Sequence, residues 1–224
     1  MSTEDEEQEK GIRKPTSGFE ITTLFLDIGG VLLTDGWNRE SRQKAARHFG
    51  LDHMDMEDRH HLMFETYELD KIKTDEYLQR MVFYKERSFT PDEFKTFMFS
   101  QSKALPEMIA FIVALKKQYG LKIIVVSNEG RYLNERRIKE FGLFEFVDFF
   151  VSSCFAHLRK PDADIFKLAL DGSQVAPQCI IYIDDQPMFV RIAQDLGING
   201  IHHTNFNSTV LKLKTFGLVL TGKN

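Results

Sequence analysis

Cysteine is scarce in this chain of 224 residues, which contains only Cys154 and Cys179. Two thiols are too few for a disulfide framework or a zinc site of several thiolates, so a reducing compartment is expected, the cytoplasm by default. Long apolar runs are also missing, because stretches such as 111–115 fall far short of the roughly 18 residues that span a bilayer. The polar, acidic segment 1–7 lacks the basic start and apolar stretch of a signal peptide. We therefore expect neither membrane association nor secretion.

A basic excess is absent as well. The chain has 29 Lys and Arg against 33 Asp and Glu, a net charge of −4, so no positive field exists to hold nucleic acid by its phosphates. Nothing in the sequence implies a protein partner. The acidic segment 1–18 is interpreted as a disordered tail. Hydrophobic residues make up 42% of the chain and include 20 Phe, enough for a large core.

Short, β-rich apolar runs recur along the rest of the chain, and segments of helical periodicity such as 106–119 separate them. Several runs are apolar at successive positions, which indicates strands covered on both faces. Strands that alternate with helices predict an α/β fold with a doubly wound parallel sheet. The predicted strands are 21–27, 121–127, 148–154, 180–184 and 200–203.

One segment, 37–105, interrupts this alternation because it contains only helical patterns, which we assign to 41–49, 57–68, 74–86 and 91–99. Since it follows the first strand directly, it should stand over the carboxyl end of that strand, where open α/β sheets bind ligands. We interpret it as a helical cap domain. The core domain would then comprise residues 19–36 and 106–224.

Polar residues occur at the ends of the predicted strands. Any one of them could simply cap the following helix, but four such features in this order are far more specific. They are Asp27, the pair Ser127 and Asn128, Lys160 with the Pro161 and Asp162 that follow it, and the pair Asp184 and Asp185.

In this order the motifs resemble those of the haloacid dehalogenase-like hydrolase superfamily. The resemblance rests on segments 24–32, 123–128, 159–162 and 181–185. It extends over about residues 20 to 215 and is strongest to the branch with an all-helical cap. That branch holds haloacid dehalogenases, the phosphatase domains of epoxide hydrolases and small sugar-phosphate phosphatases.

The resemblance implies a hydrolase of small phosphorylated metabolites that works through an aspartyl phosphate and needs Mg²⁺. Asp27 would be the nucleophile, and Lys160 would neutralise charge beside it. A cation is required because a carboxylate and a phosphate repel each other, and Mg²⁺ prefers oxygen ligands. The implied metal ligands are Asp27, the Gly29 carbonyl and Asp184, with Asp185 close by. The implied phosphate-binding and substrate-binding residues are Ser127, Asn128, Lys160 and Trp37.

Gly29 departs from the family pattern, because most phosphatases of the family carry a second Asp here that protonates the leaving group. Such acid–base help is typically worth about 10² to 10⁴ in rate. Asp35 and Asp185 are the nearest candidates to replace it. The alternatives are a catalytically weak or inactive binding or regulatory protein, or a metal-independent dehalogenase. The paired acids Asp184 and Asp185 look like a metal site and disfavour the dehalogenase.

The substrate is set by side chains of the predicted cap whose directions the sequence does not give. Its histidines, His48, His53, His60 and His61, show no clear metal-ligand spacing, so we interpret them as packing or solvated residues. The candidates for substrate contact are Trp37, Arg39, Arg42, Phe64, Tyr67 and Tyr84.

Overall fold

A five-stranded parallel sheet forms the centre of the computed structural model, which describes residues 19–221. The strand order is β3-β2-β1-β4-β5, and all four neighbouring pairs are parallel. This confirms the predicted fold class, with the Asp27 strand in the middle. The segment 1–18, interpreted as a tail, lies outside the described residues. The strands are β1 (Thr23–Leu26), β2 (Lys122–Ser127), β3 (Phe149–Ser152), β4 (Ile180–Asp184) and β5 (Asn199–His202).

Eleven α-helices accompany the sheet within residues 19–221. In this part of the chain, no helix has the length and apolar character required to cross a bilayer. The helices are α1 (Arg39–Phe49), α2 (His53–His61), α3 (Phe64–Glu68), α4 (Thr74–Met81), α5 (Pro91–Ser100), α6 (Pro106–Tyr119), α7 (Arg131–Glu140), α8 (Ser153–Ala156), α9 (Asp164–Ser173), α10 (Pro187–Asp195) and α11 (Phe206–Thr215).

Helices cover both faces of the sheet, as the uninterrupted apolar runs predicted. In β1, Leu24 and Leu26 point into a cluster with the buried side chains of α6 and α11. Phe25, between them, belongs to the opposite cluster with α9 and α10. Successive side chains of a strand point to opposite faces, and all three are fully buried.

Helices α1 to α5 lie between β1 and α6 and form the helical insertion, residues 39–100. They enclose their own hydrophobic cluster around Trp37, Tyr77 and Phe94. Helix α5 begins with a capping box, in which Thr90 and Glu93 each accept a hydrogen bond from the other's backbone N–H. The division into separate core and cap domains stays a prediction.

The insertion differs from the sequence expectation in two places. The helix predicted over 74–86 is α4, which already ends at Met81. The single helix predicted over 57–68 is two helices, α2 and α3. Leu62 caps the end of α2, and Met63 leaves the helical range with a φ of −128° before α3 begins.

Outside the insertion, helix α11 was missed by the sequence analysis, although the side chain of Asn205 caps it.

The insertion contacts the rest of the chain through α5, which packs against α7, and through α3 and the residues after it. The ring of Tyr67 covers the backbone of Gly130, which precedes α7. Nearby, Arg131 Nε donates to Asp70 Oδ2 at 2.8 Å, and Arg159 pairs with Glu68 at 2.9 Å. These contacts hold the insertion above the carboxyl ends of β1 and β2.

Replacement of Gly130 by alanine should destabilise this contact. Gly130 has φ −66° and ψ 143°, which any residue adopts, so the cost is purely steric. A Cβ here would overlap the Tyr67 ring, and such overpacking typically costs about 1–3 kcal/mol. In urea unfolding, the free energy of unfolding of Gly130→Ala should be lower than that of the wild type by about 1–3 kcal/mol.

A Tyr67→Leu background provides the control, because leucine lacks the ring atoms that would collide. In that background Gly130→Ala should cost much less. An equal loss in both backgrounds would show that the Tyr67 ring is not what limits residue 130.

Candidate active site

The carboxyl ends of β1 and β4 bring two acids side by side. Leu26 pairs with Ile183, so Asp27 and Asp184 stand level one residue later. The chain leaves these adjacent strands toward opposite sides of the sheet, which makes this the topological switch point where such sheets bind ligands. The register therefore brings together the two acids that the sequence analysis singled out.

Lys160 lies between these acids and is fully buried. Its Nζ is 2.7 Å from Asp184 Oδ2 and 3.2 Å from Asp27 Oδ2. Its Nζ also donates to the hydroxyl of Tyr182 at 3.1 Å, and Tyr182 in turn donates a short hydrogen bond to Asp184. A buried ammonium needs such partners, because an unpaired charge in the interior is costly.

Burial and charge shift the pKa values of this cluster. Burial raises the pKa of Asp27 to about 6, although Lys160 opposes the shift. Burial alone would lower the pKa of Lys160, but Asp27 and Asp184 outweigh it, and the net pKa is raised. Burial, together with Asp35 and the other nearby acids, raises the pKa of Asp185 to about 7. The site therefore has an excess of carboxylates over cations.

Ser127, the last residue of β2, and Asn128, which follows it, complete the arrangement. A hydrogen bond from Ser127 favours the ionised form of Asp27. The side chain of Asn128 holds the backbone of Lys160 from both sides: Nδ2 donates to its carbonyl at 2.8 Å, and Oδ1 accepts from its N–H at 2.9 Å. Asn128 thus positions the lysine as well as facing the cavity.

Three of the acids are close enough to share one cation. Ligand atoms of Asp27, Asp184 and Asp185 all lie within 4.8 Å of one another. Asp184 is oriented further by the backbone N–H of Gln186, which donates to its Oδ1 at 2.6 Å. An all-oxygen set with excess negative charge fits Mg²⁺, which is commonly bound by one or two carboxylates.

A cavity of about 300 Å³ opens beside these groups and extends under the helical insertion. Among the residues proposed from sequence, Phe64, Tyr84, Ser127 and Asp184 do not line it. Those that do are Asp27, Gly29, Asp35, Trp37, Arg39, Arg42, Tyr67, Asn128, Lys160 and Asp185.

Gly29 and Asp35 are neighbours in this cavity wall. A Cβ at Gly29 would lie 3.0 Å from Asp35 Oδ1, so the Asp35 carboxylate stands beside the place a side chain at position 29 would enter. Asp35 Oδ2 accepts a hydrogen bond from Asn38 Nδ2 at 3.1 Å. The left-handed backbone of this loop is at Gly30, with a φ of 68°, and not at Gly29.

With this geometry established, similarity to known proteins identifies the family. The family model of the haloacid dehalogenase-like hydrolases matches residues 21–197. The chain belongs to this family. A search among curated proteins finds no match.

Solved structures of haloacid dehalogenase-like proteins share the fold. A predicted HAD-like family hydrolase from Porphyromonas gingivalis superposes with a TM-score of 0.71 at 21% identity, covering 88% of this chain and 98% of the other. A HAD family enzyme from Bacteroides thetaiotaomicron, solved with magnesium and inorganic phosphate, gives 0.70 at 20% identity, with 81% and 93% covered. A dehalogenase gives 0.60 at 20% identity, with 80% and 83% covered. Identities this low show the fold alone.

Two ion pairs in the cavity wall of this haloacid dehalogenase-like chain were not found from sequence. Glu129 Oε2 accepts from Arg137 Nη1 at 2.6 Å, and Glu68 pairs with Arg159 at 2.9 Å. Burial raises the pKa of Glu129 to about 7 against the opposing charge of Arg137. Their place in the sequence could have indicated these pairs, because Glu129 directly follows Asn128 and Arg159 directly precedes Lys160.

A chain of hydrogen bonds also runs from the cavity wall into the insertion. Trp37 Nε1 donates to the hydroxyl of the fully buried Tyr77 at 3.0 Å, and His60 Nδ1 lies 2.7 Å from the same hydroxyl. Burial lowers the pKa of His60 to about 3; Arg42 and His61 add to the shift, and Glu57 opposes it. His60 is therefore neutral in the folded protein at neutral pH.

This shift predicts a pH dependence of stability. Between about pH 6.5 and 3 the unfolded chain binds a proton at His60 that the folded protein does not bind. Acidification through this window therefore lowers the free energy of unfolding, by up to about 1.4 kcal/mol per pH unit. In His60→Gln this contribution should vanish, so its stability should fall less steeply between pH 6 and 4 in denaturant titrations.

The matched control is His61→Gln, which changes the exposed neighbouring histidine and should keep the wild-type slope. If the free energy of unfolding fell with pH equally steeply in the wild type and in His60→Gln, His60 would bind its proton as readily in the folded protein as in the unfolded chain.

Proposed function

We propose that this haloacid dehalogenase-like protein is a Mg²⁺-dependent hydrolase of small phosphate monoesters, with sugar phosphates as the first candidates. The observation that carries the proposal is the buried Lys160, which contacts both Asp27 and Asp184 at the mouth of a polar cavity. This cluster offers a nucleophile and a fixed positive charge at one point.

Asp27 is the proposed nucleophile. Its carboxylate attacks phosphorus, the bond from phosphorus to the ester oxygen breaks, and an aspartyl phosphate forms. Lys160 neutralises charge on the phosphoryl oxygens, and Ser127 and the backbone N–H of Asn128 donate hydrogen bonds to them. Water then attacks the aspartyl phosphate, which releases inorganic phosphate and restores the Asp27 carboxylate.

Asp27, the Gly29 carbonyl, Asp184 and Asp185 would hold the Mg²⁺. The convergence of the three carboxylates within 4.8 Å supports this assignment. Mg²⁺, when bound, supplies the positive charge that lets an anionic nucleophile approach an anionic phosphate. The magnesium and phosphate in the related Bacteroides structure are consistent with such a site.

Asp35 is the proposed acid for the leaving group. Its carboxylate lies next to Gly29 and lines the cavity. Oδ1 has no hydrogen-bond partner within residues 19–221, since Asn38 binds Oδ2. In the first step Asp35 would give its proton to the leaving alkoxide, and in the second it would take one from water.

Two alternatives remain in competition with this function. A dehalogenase needs neither Mg²⁺ nor an acid, so the clustering of three carboxylates in a set that fits a cation disfavours it. A non-catalytic binding protein would keep the cavity but not turn over any ester.

A phosphatase screen separates these functions. Purified protein is tested on sugar phosphates, nucleotides and p-nitrophenyl phosphate, with Mg²⁺ and with EDTA. Turnover only with Mg²⁺ is expected. Hydrolysis of 2-chloropropionate that survives EDTA would favour the dehalogenase, and binding without turnover would favour the regulatory protein.

Substitution of Asp184 by Asn should weaken metal binding. Even loss of an outer partner of a metal ligand typically costs 10–100-fold in affinity, so the Mg²⁺ concentration for half-maximal activity should rise more than about tenfold. Tyr182→Phe removes a donor to Asp184 but keeps its carboxylate, and should shift the titration less. An unchanged Mg²⁺ titration in Asp184→Asn would remove it from the ligand set.

Substitution of Asp35 by Asn should affect esters according to their leaving group. Hydrolysis of glucose 6-phosphate should fall by about 10² to 10⁴, because a sugar alkoxide needs a proton. Hydrolysis of p-nitrophenyl phosphate should fall much less, because nitrophenolate leaves without one. The measurement is kcat for both esters on the same preparation.

The rescue variant is Gly29→Asp in the Asp35→Asn background, which moves the acid to the usual family position. Gly29 does not have a positive φ, so no backbone strain opposes a side chain there, but its Cβ would lie 3.0 Å from the side chain of residue 35, which must shift to admit it. The second substitution avoids two adjoining carboxylates. Glucose 6-phosphate turnover should recover. Equal losses for both esters in Asp35→Asn would rule out Asp35 as the acid and direct the search to Asp185.

A further inference from the structure

The hydrogen bonds around Tyr77 fix which nitrogen of His60 carries the proton. The indole N–H of Trp37 is only a donor, so the hydroxyl oxygen of Tyr77 accepts it. The phenolic proton then needs an acceptor. Within residues 19–221, His60 Nδ1 is the only other hydrogen-bond partner of that hydroxyl.

The opposite tautomer would leave a buried donor without a partner. If Nδ1 carried the ring proton, it would donate to Tyr77, and the phenolic proton would have no acceptor in a fully buried environment. Nδ1 therefore accepts, and because the ring is neutral, Nε2 carries the single N–H. Arg42, Glu57 and His61 are the charged or titratable groups that act on the ring.

The second ring nitrogen of His60, Nε2, is accessible. His60 lines the same cavity as Asp27 and Lys160. Its Nε2 has no hydrogen-bond partner among the described residues, and it is not one of the buried polar atoms without a partner, so it reaches solvent. The insertion thus contributes to the cavity wall a histidine whose N–H donor has no partner within residues 19–221.

An acceptor from the insertion shares this wall. Glu68 lines the cavity, and both of its hydrogen bonds with Arg159 use Oε2. Its Oε1 has no hydrogen-bond partner within residues 19–221. A hydroxyl group both accepts and donates hydrogen bonds, so a wall with one free donor and one free acceptor matches a hydroxylated leaving group.

We propose that His60 is a specificity-determining residue whose Nε2–H donates to a hydroxyl oxygen of the substrate's leaving group. The substrate class is a phosphate ester of a polyhydroxylated alcohol. Trp37 and Tyr77 act as positioning residues, because they hold the ring in the tautomer that points a donor at the cavity. The assignment of His60 to the leaving group rests on the proposed function, whereas the tautomer does not.

The first test reads the tautomer without any substrate. Long-range ¹H–¹⁵N spectra of the full chain with ¹⁵N-labelled histidine, at pH 7, report which ring nitrogen is protonated, and His60→Ala assigns the signals. A neutral ring protonated at Nε2 is expected. Tyr77→Phe, which removes the donor to Nδ1, should give a mixture of tautomers. An Nδ1–H ring or an imidazolium in the wild type would overturn the proposal.

The second test compares two esters. In His60→Ala the KM for glucose 6-phosphate should rise about two- to tenfold, the range for one lost hydrogen bond. The KM for p-nitrophenyl phosphate, which has no hydroxyl on its leaving group, should stay within about twofold. His61→Ala is the matched control on the same helix, and melting temperatures show whether each variant is folded. Equal KM changes for both esters would overturn the role of His60.

Failure of the proposed function is recognised separately. If the wild type hydrolyses no phosphate ester, the phosphatase proposal fails, and labelled protein is titrated with glucose 6-phosphate and with inorganic phosphate. A shift of the His60 Nε2 signal by the sugar phosphate but not by inorganic phosphate would still support His60 as the donor to the organic part. No shift with either would overturn that assignment.

Discussion

The buried ion cluster of Lys160 with Asp27 and Asp184 is the constraint on which the rest of the site depends. An ammonium that is fully buried is tolerated only where carboxylates and hydrogen-bond acceptors surround it. That condition is met at the adjoining ends of β1 and β4, because their parallel register puts both acids at one level. Asn128 fixes the backbone of Lys160 from the end of β2. Residues at the ends of three strands, β1, β2 and β4, therefore fix the position of the Lys160 ammonium.

Ion pairs also fix the side chains of the cavity wall, because most of its arginines are bound to carboxylates. Arg42 is bound to Glu57, Arg137 to Glu129, and Arg159 to Glu68. Paired arginines shape the wall without giving it a large positive field. In the proposed function, selection among the organic parts of substrates depends on wall atoms without a hydrogen-bond partner within residues 19–221, such as His60 Nε2 and Glu68 Oε1. Tyr77 does not line the cavity, but its bond to Nδ1 decides that Nε2 of His60 is the donor.

The loop after β1 places a carboxylate beside Gly29, the position at which most phosphatases of the family carry an Asp. After Ile28 the chain turns back, since the N–H groups of Leu32 and Leu33 both donate to the carbonyl of Ile28. Thr34 then bonds to the backbone of Lys103, where the chain returns from the insertion. This path brings Asp35 back to Gly29, six residues earlier. A glycine at position 29 leaves the room that the returning carboxylate occupies.

The sequence alone determined the parallel α/β fold, the family and the motif residues at the strand ends, because buried strands and strand-terminal acids leave local signals. It placed helix boundaries in the insertion less well: 57–68 contains two helices, since the break at Met63 arises from backbone geometry that no Pro or Gly marks. Only the tertiary structure decided that Asp35 stands beside Gly29 and that His60 belongs to a buried hydrogen-bond chain. The first depends on a loop that turns back on itself, and the second on a contact between two helices of the insertion, so neither leaves a periodic pattern. The state of a single imidazole is likewise set by neighbours in space, because burial and hydrogen-bond partners, not sequence position, decide where its proton lies.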